Sequence, residues 1–272
     1  MNHNGKINLL LKSQNQKTYI ANNFYQLPLQ VMLPEYEEPD STKIIYLLNP
    51  TGGVLQEDVL NLSIELEADA KACISNASAT KLYRCEAGME AVQTTDIVLG
   101  EHAVLEYFPD LIIPYAGSAY TQTTRLHLAK SSTLLLCDCF CGGRTARDER
   151  FDFRKFASEL TLHVDGRLKL AERIELTGDR QRMKHRTAMQ EYTYTATLYV
   201  YSARATRAQD ALAAQPEEKD ALVRTGFTLV EEHLLVVKVL AAESWCLKEE
   251  VEHIWGIVRA AVLDKPPLLL RK

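Results

Sequence analysis

Residues 160–172 read Leu-Thr-Leu-His-Val-Asp-Gly-Arg-Leu-Lys-Leu-Ala-Glu. Leu160, Leu162 and Val164 alternate with other residues, and Leu168 and Leu170 do so again beyond Asp165-Gly166. An apolar residue at every second position turns one face of an extended strand toward a core. Asp-Gly between two such runs is a strong signal for a hairpin turn. Three earlier stretches repeat the layout: Leu62 to Asn76 around Ala68-Asp69, Ile97 to Phe108 around Gly100-Glu101, and Leu126 to Asp138 around Lys130-Ser131. Their starts fall about 30 residues apart, which predicts two-stranded units stacked in sequence in the manner of a solenoid. A plain β-sandwich would give a similar pattern.

Working outward, Ile7 to Lys12, Lys17 to Asn22 and Leu27 to Met32 read as further strands, and residues 33–41 as a polar loop. Tyr192 to Tyr201 alternates as a strand does. Ala208 to Val223 reads as two short helical turns interrupted near Pro216, and Phe227 to Leu240 as a hairpin bending at Glu231-Glu232-His233. From Ser244 to Leu263, Val251, Ile254, Trp255, Val258 and Val262 recur at helical spacing, with Pro266-Pro267 as a stop. The expected fold is mainly β, a stacked hairpin or solenoid-like domain with C-terminal α-helices. No Ser/Gly-rich linker interrupts residues 1–272, so one domain is expected, with a β-rich core over 1–205 and a mixed strand and helix portion over 206–272.

A net charge of −5 from 31 basic and 36 acidic residues leaves no electrostatic footprint for nucleic acid. No run approaches the roughly 20 apolar residues of a membrane span, and the short run near Leu9 is too brief for a signal-peptide core. Six cysteines in a chain without an export signal read as reduced thiols, so the expected compartment is the cytoplasm.

Standard catalytic signatures are missing: there is no P-loop, no Gly-x-Ser-x-Gly elbow and no His-Glu-x-x-His. The most unusual local sequence is Cys137-Asp138-Cys139-Phe140-Cys141. On a strand its three thiols share one face and Asp138 takes the other. The thiols read as small buried hydrophobes rather than as a soft-metal trap. Asp138 is a carboxylate inside an apolar run, costly to bury unless paired, hydrated or metal-bound. Glu172 sits in a comparable setting after Leu168-Lys169-Leu170-Ala171, and register stacking would bring the two acids together. Ordinary ion pairs with Arg144 or Arg173 would also account for them. Asn49-Pro50-Thr51-Gly52-Gly53 is a tight turn, with Asp58 just before the next strand.

That turn resembles the Pro-Gly-Gly turn of the UreD (UreH) family of urease accessory proteins, whose acid follows at the offset of Asp58. Ala77 to Arg84 is similar to that family's Gly-Ala-Thr-Lys-Phe-Tyr-Arg segment, through Thr80, Lys81, Tyr83 and Arg84. Ala103 to Pro109 resembles its Leu-Glu-Trp-Leu-Pro strand, and Ile113-Pro114-Tyr115 the element that follows. Asp138 to Arg144, with Gly143 and Arg144, then Glu149 and Phe151, resemble its Cys-x-Gly-Arg and Gly-Glu-x-Phe segments. Thr51, Gln56-Glu57, Ser78, Cys137 and Cys139 depart from the family pattern.

The resemblance implies a non-enzymatic urease maturation factor that acts with UreF and UreG on the urease apoprotein. It implies a role in nickel delivery through an internal polar passage, with no tightly bound cofactor and only transient Ni²⁺. Asp58, Asp138 and Glu172 match the acids assigned to that passage. Gly52, Gly53, Thr80, Lys81, Tyr83, Arg84, Gly143 and Arg144 read as structural motif positions, and Trp255 as a position on a helix that can face UreF or pack in the core. Two other readings stand beside this one. One is a carbohydrate-active β-solenoid hydrolase using Asp138 and Glu172 as acid and base; the other is a passive protein-binding scaffold.

Overall fold

The computed structural model describes residues 4–185, 189–216, 221–268 and 270. Strands β1 (Asn4–Gln14), β2 (Lys17–Gln26), β3 (Gln30–Met32), β4 (Lys43–Leu48), β5 (Val59–Leu66) and β6 (Lys71–Asn76) come first. They lead into β7 (Thr80–Leu82), β8 (Ala91–Leu99), β9 (Val104–Phe108) and β10 (Ile112–Pro114). Next are β11 (Ala119–Leu128), β12 (Thr133–Cys141), β13 (Lys155–Val164) and β14 (Arg167–Leu176). A single-turn helix α1 (Arg180–Met183) precedes β15 (Tyr194–Tyr201) and helix α2 (Ala205–Ala213). The hairpin of β16 (Val223–Glu231) and β17 (Leu234–Ala241) then leads to helix α3 (Ser244–Leu263).

These strands form two facing sheets. One has the order β14-β13-β11-β8-β5-β1-β2, and the other β16-β17-β15-β12-β9-β6-β4-β3, with β7 and β10 joined at the margin beside β12. Strands β5, β8, β11 and β13 run parallel in the first sheet, and β4, β6, β9 and β12 run parallel in the second. The chain therefore crosses from one sheet to the other at Ala68-Asp69, at Gly100-Glu101 and at Lys130-Ser131. These three units are arches, whose strands meet through side chains across the core instead of pairing as hairpins. Their turns stack as well: Asp69 donates its amide to Glu101 O at 2.9 Å, and Ala129 donates to Leu99 O at 2.9 Å. Gly100 permits this stacking, since a Cβ there would sit 2.9 Å from Ala68 N. Of the four units, only the last is a paired hairpin. Its strands β13 and β14 are antiparallel, and Asp165 and Gly166 both take positive φ, 46° and 75°, as a type I′ turn requires. The solenoid-like, mainly β reading with a C-terminal helix is borne out.

Two cores result. One fills the gap between the sheets, and the other lies between the second sheet and α2 with α3. Strand β12 serves both: Leu134, Leu136 and Phe140 face the inter-sheet gap, while Leu135, Cys137 and Cys141 face the helices. Burial on both faces explains its near-continuous apolar sequence. Helix α2 starts earlier than the sequence suggests, at Ala205. Residues 217–220, where a second helical turn was expected, lie outside the described residues. Helix α3 spans the expected Ser244–Leu263, with Asp264 in the left-handed conformation at φ 55° as its C-cap.

An ionic lock lies beneath α3, its partners too far apart along the chain for spacing to pair them. Glu106 of β9 is fully buried and receives Trp255 Nε1 at 2.7 Å and Arg259 Nε at 3.0 Å. Trp255 stacks on Phe108 with ring centroids 4.2 Å apart. Arg259 continues to Glu38 and to the Pro266 carbonyl. Lys265 contacts Glu38 at 2.8 Å and Asp40 at 2.9 Å. One network thus fastens the central strand, the loop before β4, and the end of the chain. Removing one partner of a buried pair strands the other charge, at a cost of about 3–5 kcal/mol. Arg259→Met is expected to destabilise the chain by about that amount in denaturant unfolding, and the double substitution Glu106→Leu/Arg259→Met by less than Arg259→Met alone.

Candidate functional site

The gap between the sheets is apolar at one end and polar at the other. Parallel pairing in the first sheet sets Leu60, Gln93, Gln122 and Ser158 side by side, and Leu62, Thr95, Thr124 and Leu160 one step further along. Glu172 on β14 pairs with Leu160 and extends that second row. In the facing sheet Asp138, Thr197 and Lys238 lie in one row across β12, β15 and β17. Period-2 geometry aims all of these side chains inward once their neighbours Leu136, Phe140 and Val236 are in the core. Gln93, Thr95, Thr124, Gln122 and Asp138 line a cavity of about 90 Å³, room for a few water molecules.

Asp138 is held by neutral donors. Gln122 Nε2 donates to its two carboxyl oxygens at 3.2 and 3.1 Å, and Ser158 Oγ donates to Oδ2 at 3.2 Å. Gln122 also reaches Ser158 Oγ at 2.9 Å. Burial pushes the Asp138 carboxyl above its ordinary range, the Gln122 and Ser158 donors pull it down, and the Glu172 charge pushes it up again. The cavity wall also holds the Tyr120 hydroxyl, which is buried and has no hydrogen-bond partner among the described residues. Such a hydroxyl favours polar contents in the space it faces.

Glu172 comes into the same region, though not by stacking in register with Asp138. It lies on the inner face of β14 between Leu170 and Ile174, both packed on the inter-sheet core. Its Oε2 accepts the Tyr199 hydroxyl at 3.1 Å, and its Oε1 accepts Lys238. Neither acid pairs with Arg144 or Arg173, whose partners are Glu149 and Glu175. Asp58 is buried elsewhere, in the turn before β5, where Oδ2 accepts the Leu55 amide at 2.9 Å. It does not line the cavity with Asp138. Among the described residues no three His, Cys, Asp or Glu side chains gather as a metal-holding group.

The motif residues converge at one end of the gap. Gly53 lies so close to β7 that a Cβ would fall 2.6 Å from both Lys81 O and Tyr83 Cε2. Val54 N donates to Lys81 O at 2.8 Å, and Tyr83 N to Val54 O at 2.9 Å. Tyr83 meets Tyr115 edge-on at 5.3 Å, and the Arg144 guanidinium lies 3.9 Å over the Tyr115 ring while pairing with Glu149. Arg84 runs under Gly117, and Gly143, at φ 137°, lies against the Glu149 carbonyl. Gly52, Gly53 and Thr80 border the cavity itself. Trp255 is buried under Phe108 in the helix-side core. Lys238, Gln122, Ser158 and Tyr199 are among the members of the site that the sequence reading missed. Lys238 interrupts Leu-Leu-Val-Val-Lys-Val-Leu just as Asp138 interrupts its own apolar run.

This arrangement can hold a hydrated cation loosely among carboxylates, amides and hydroxyls, with Asp110 bordering the cavity as well as Asp138. It is a poor fit to glycoside hydrolysis, since a cavity of about 90 Å³ is well below the roughly 300–1,000 Å³ usual for ligand pockets. No helix among the described residues is long and apolar enough to cross a membrane.

Comparison with known proteins places these features in a family. The family model described as UreD urease accessory protein matches residues 3–272. A urease accessory protein UreD of Herpetosiphon aurantiacus is 30% identical over 98% of this chain and 96% of its own. That of Citrobacter koseri is 30% identical over 94% of this chain and 86% of its own. The UreD of Klebsiella aerogenes is 30% identical over 94% of this chain and 90% of its own.

The Asp138 environment has a stability signature. Its folded-state pKa is raised, so the carboxyl favours the fold below the unfolded value of about 4 and opposes it as pH climbs through the folded value. Asp138→Asn is therefore expected to melt higher than the wild type at pH 7, by about 2–4 °C for each kcal/mol relieved. The gain closes as pH falls to about 4. Thermal melts at the two pH values check this, and a variant that melts lower at pH 7 contradicts it.

Proposed function

We propose that this chain, which belongs to the UreD family of urease accessory proteins, is a non-catalytic urease maturation factor that passes Ni²⁺ along the polar strip between its sheets. On this reading it works in a complex with UreF and UreG on the urease apoprotein, in the cytoplasm, and nickel is cargo that never settles. The observation that carries the reading is the strip itself. A mainly apolar inter-sheet core gives up Gln93, Thr95, Gln122, Thr124, Ser158 and Asp138 to one continuous polar band. Buried polar groups of this kind cost stability unless they serve one another or a hydrated guest.

The chemistry of the band suits transit. Carboxylate, amide carbonyl, hydroxyl and water are ligands that hold a divalent ion weakly and let it exchange. Thiolates would retain it, and the three cysteines of β12 lie on the opposite side of the strand, packed toward the helices. In this mechanism Asp138 supplies the negative charge that draws the cation out of bulk water, and Gln122 and Ser158 fix its direction. Glu172 receives the ion at the strip's other end. Asp58, buried outside the cavity, holds the turn that follows Gly52-Gly53 through the Leu55 amide. The convergence of Gly53, Tyr83, Tyr115 and Arg144 at that mouth makes it a rigid rim on which the assembly can seat.

The test is urease activation in cells that produce the urease subunits and the accessory proteins with this chain omitted, wild type or substituted. Omission abolishes activation. Gln122→Met leaves co-purification with UreF and urease intact but lowers activation about 10–100-fold, the usual cost of losing a group that orients a ligand. Full activation by Gln122→Met would count against the passage.

A further inference from the structure

The cation in the Asp138 row belongs to the protein. Lys238 follows Asp138 and Thr197 across β12, β15 and β17 in one register row. Its face of β17 is that of Leu234 and Val236, which lie in the inter-sheet core. The ammonium bonds Glu172, whose other oxygen is held by Tyr199. Its charge also favours the ionised form of Asp138, while that of Glu172 opposes it. A single lysine thus serves as the positive charge for both acids of the strip.

The two sides of the Lys238–Glu172 pair differ in exposure. The Glu172 side chain is 18% exposed and that of Lys238 55%. Lysine carries its charge on a flexible four-carbon stem, whereas Glu172 is gripped by the Tyr199 hydroxyl. The neighbouring strand leaves the lysine space: Gly226 stands directly opposite Lys238 in the β16–β17 register, and a Cβ on Gly226 would meet nothing within 4 Å. Directly opposed residues of an antiparallel pair share a face, so no side chain stands directly opposite the lysine on β16.

Resting on the passage reading above, we propose that Lys238 is a displaceable counter-cation that closes the Glu172 end of the strip, and that a divalent ion advances only as the ammonium swings aside toward Gly226. The lysine keeps the acids neutralised while the strip is empty and competes with any ion arriving from bulk. An ion that binds must replace a charge already in place, so occupancy is weakened by the coupling between the two cations. Weak occupancy is what a conduit needs. The device also discriminates: a hydrated monovalent ion brings no more charge than the ammonium it would displace, and a divalent ion brings twice as much.

The experiment is a titration of the full-length, tag-free chain with Ni²⁺ by calorimetry, comparing wild type, Lys238→Met, Gly226→Val and the double variant Asp138→Asn/Lys238→Met. Lys238→Met is expected to bind Ni²⁺ about tenfold more tightly than wild type, within the usual range of coupling between two sites. The double variant loses that gain. Gly226→Val, which fills the space beside the lysine and keeps its charge, binds more weakly than wild type. Equal or weaker Ni²⁺ binding by Lys238→Met, with binding still dependent on Asp138, overturns the counter-cation and leaves the passage standing. Binding that ignores Asp138 in every variant overturns the passage as well. Circular dichroism of each variant separates these outcomes from loss of fold.

Discussion

The hydrogen bonds from Gln122 to Asp138 are the interaction on which the polar strip between the sheets depends. The gap between the sheets takes side chains from both, and every second residue of each strand must enter it. Leucine, isoleucine and valine fill most of it without constraint. Where Gln122 enters, its amide needs acceptors, and Asp138 and Ser158 provide them. Asp138 in turn needs donors, and finds them in Gln122 and Ser158. The three come from β11, β12 and β13, so the polar cluster joins both sheets and any shift of register would break it.

The helix side of the second sheet solves a related problem differently. Glu106 is matched by a fixed cation, Arg259, and by the Trp255 indole, with no space left over. That closed pair fastens α3 and the loop before β4 to the central strand, and so keeps the second sheet flat against its helices. Asp138, by contrast, has only neutral donors and lies beside a cavity. One buried acid is a fastening and the other an opening, and the difference rests on the presence or absence of an adjacent guanidinium.

Much of this was legible in the sequence, because period-2 alternation and turn chemistry are local. Asp165-Gly166 declared its hairpin, and the alternation of Cys137, Asp138 and Cys139 placed the thiols and the carboxylate on opposite faces. The earlier turns were harder to read: Ala68-Asp69, Gly100-Glu101 and Lys130-Ser131 look like hairpin turns but close arches, and only pairing with distant strands distinguishes the two. Thr121 to Thr124 is polar throughout, so the sequence does not say that Gln122 faces inward until Leu126 and Leu128 fix the phase. Glu106 and Lys238 each interrupt an apolar run as Asp138 does, and the same criterion applied to them would have found both. Their partners lie too far along the chain for spacing to identify: Arg259 is 153 residues from Glu106, and Glu172 is 66 from Lys238. The convergence of the Gly52-Gly53, Thr80 to Arg84 and Gly143-Arg144 segments at one end of the gap was likewise a property of the fold alone.

On the proposed function, the polar strip between the sheets is a route for nickel. The most direct measurement is a crystal structure of the chain soaked in Ni²⁺, with anomalous scattering recorded at the nickel edge. A weak peak is expected in the inter-sheet cavity within coordination reach of Asp138, lost in Asp138→Asn crystals. Peaks confined to surface histidines, with the cavity free of anomalous signal at saturating Ni²⁺, would contradict it.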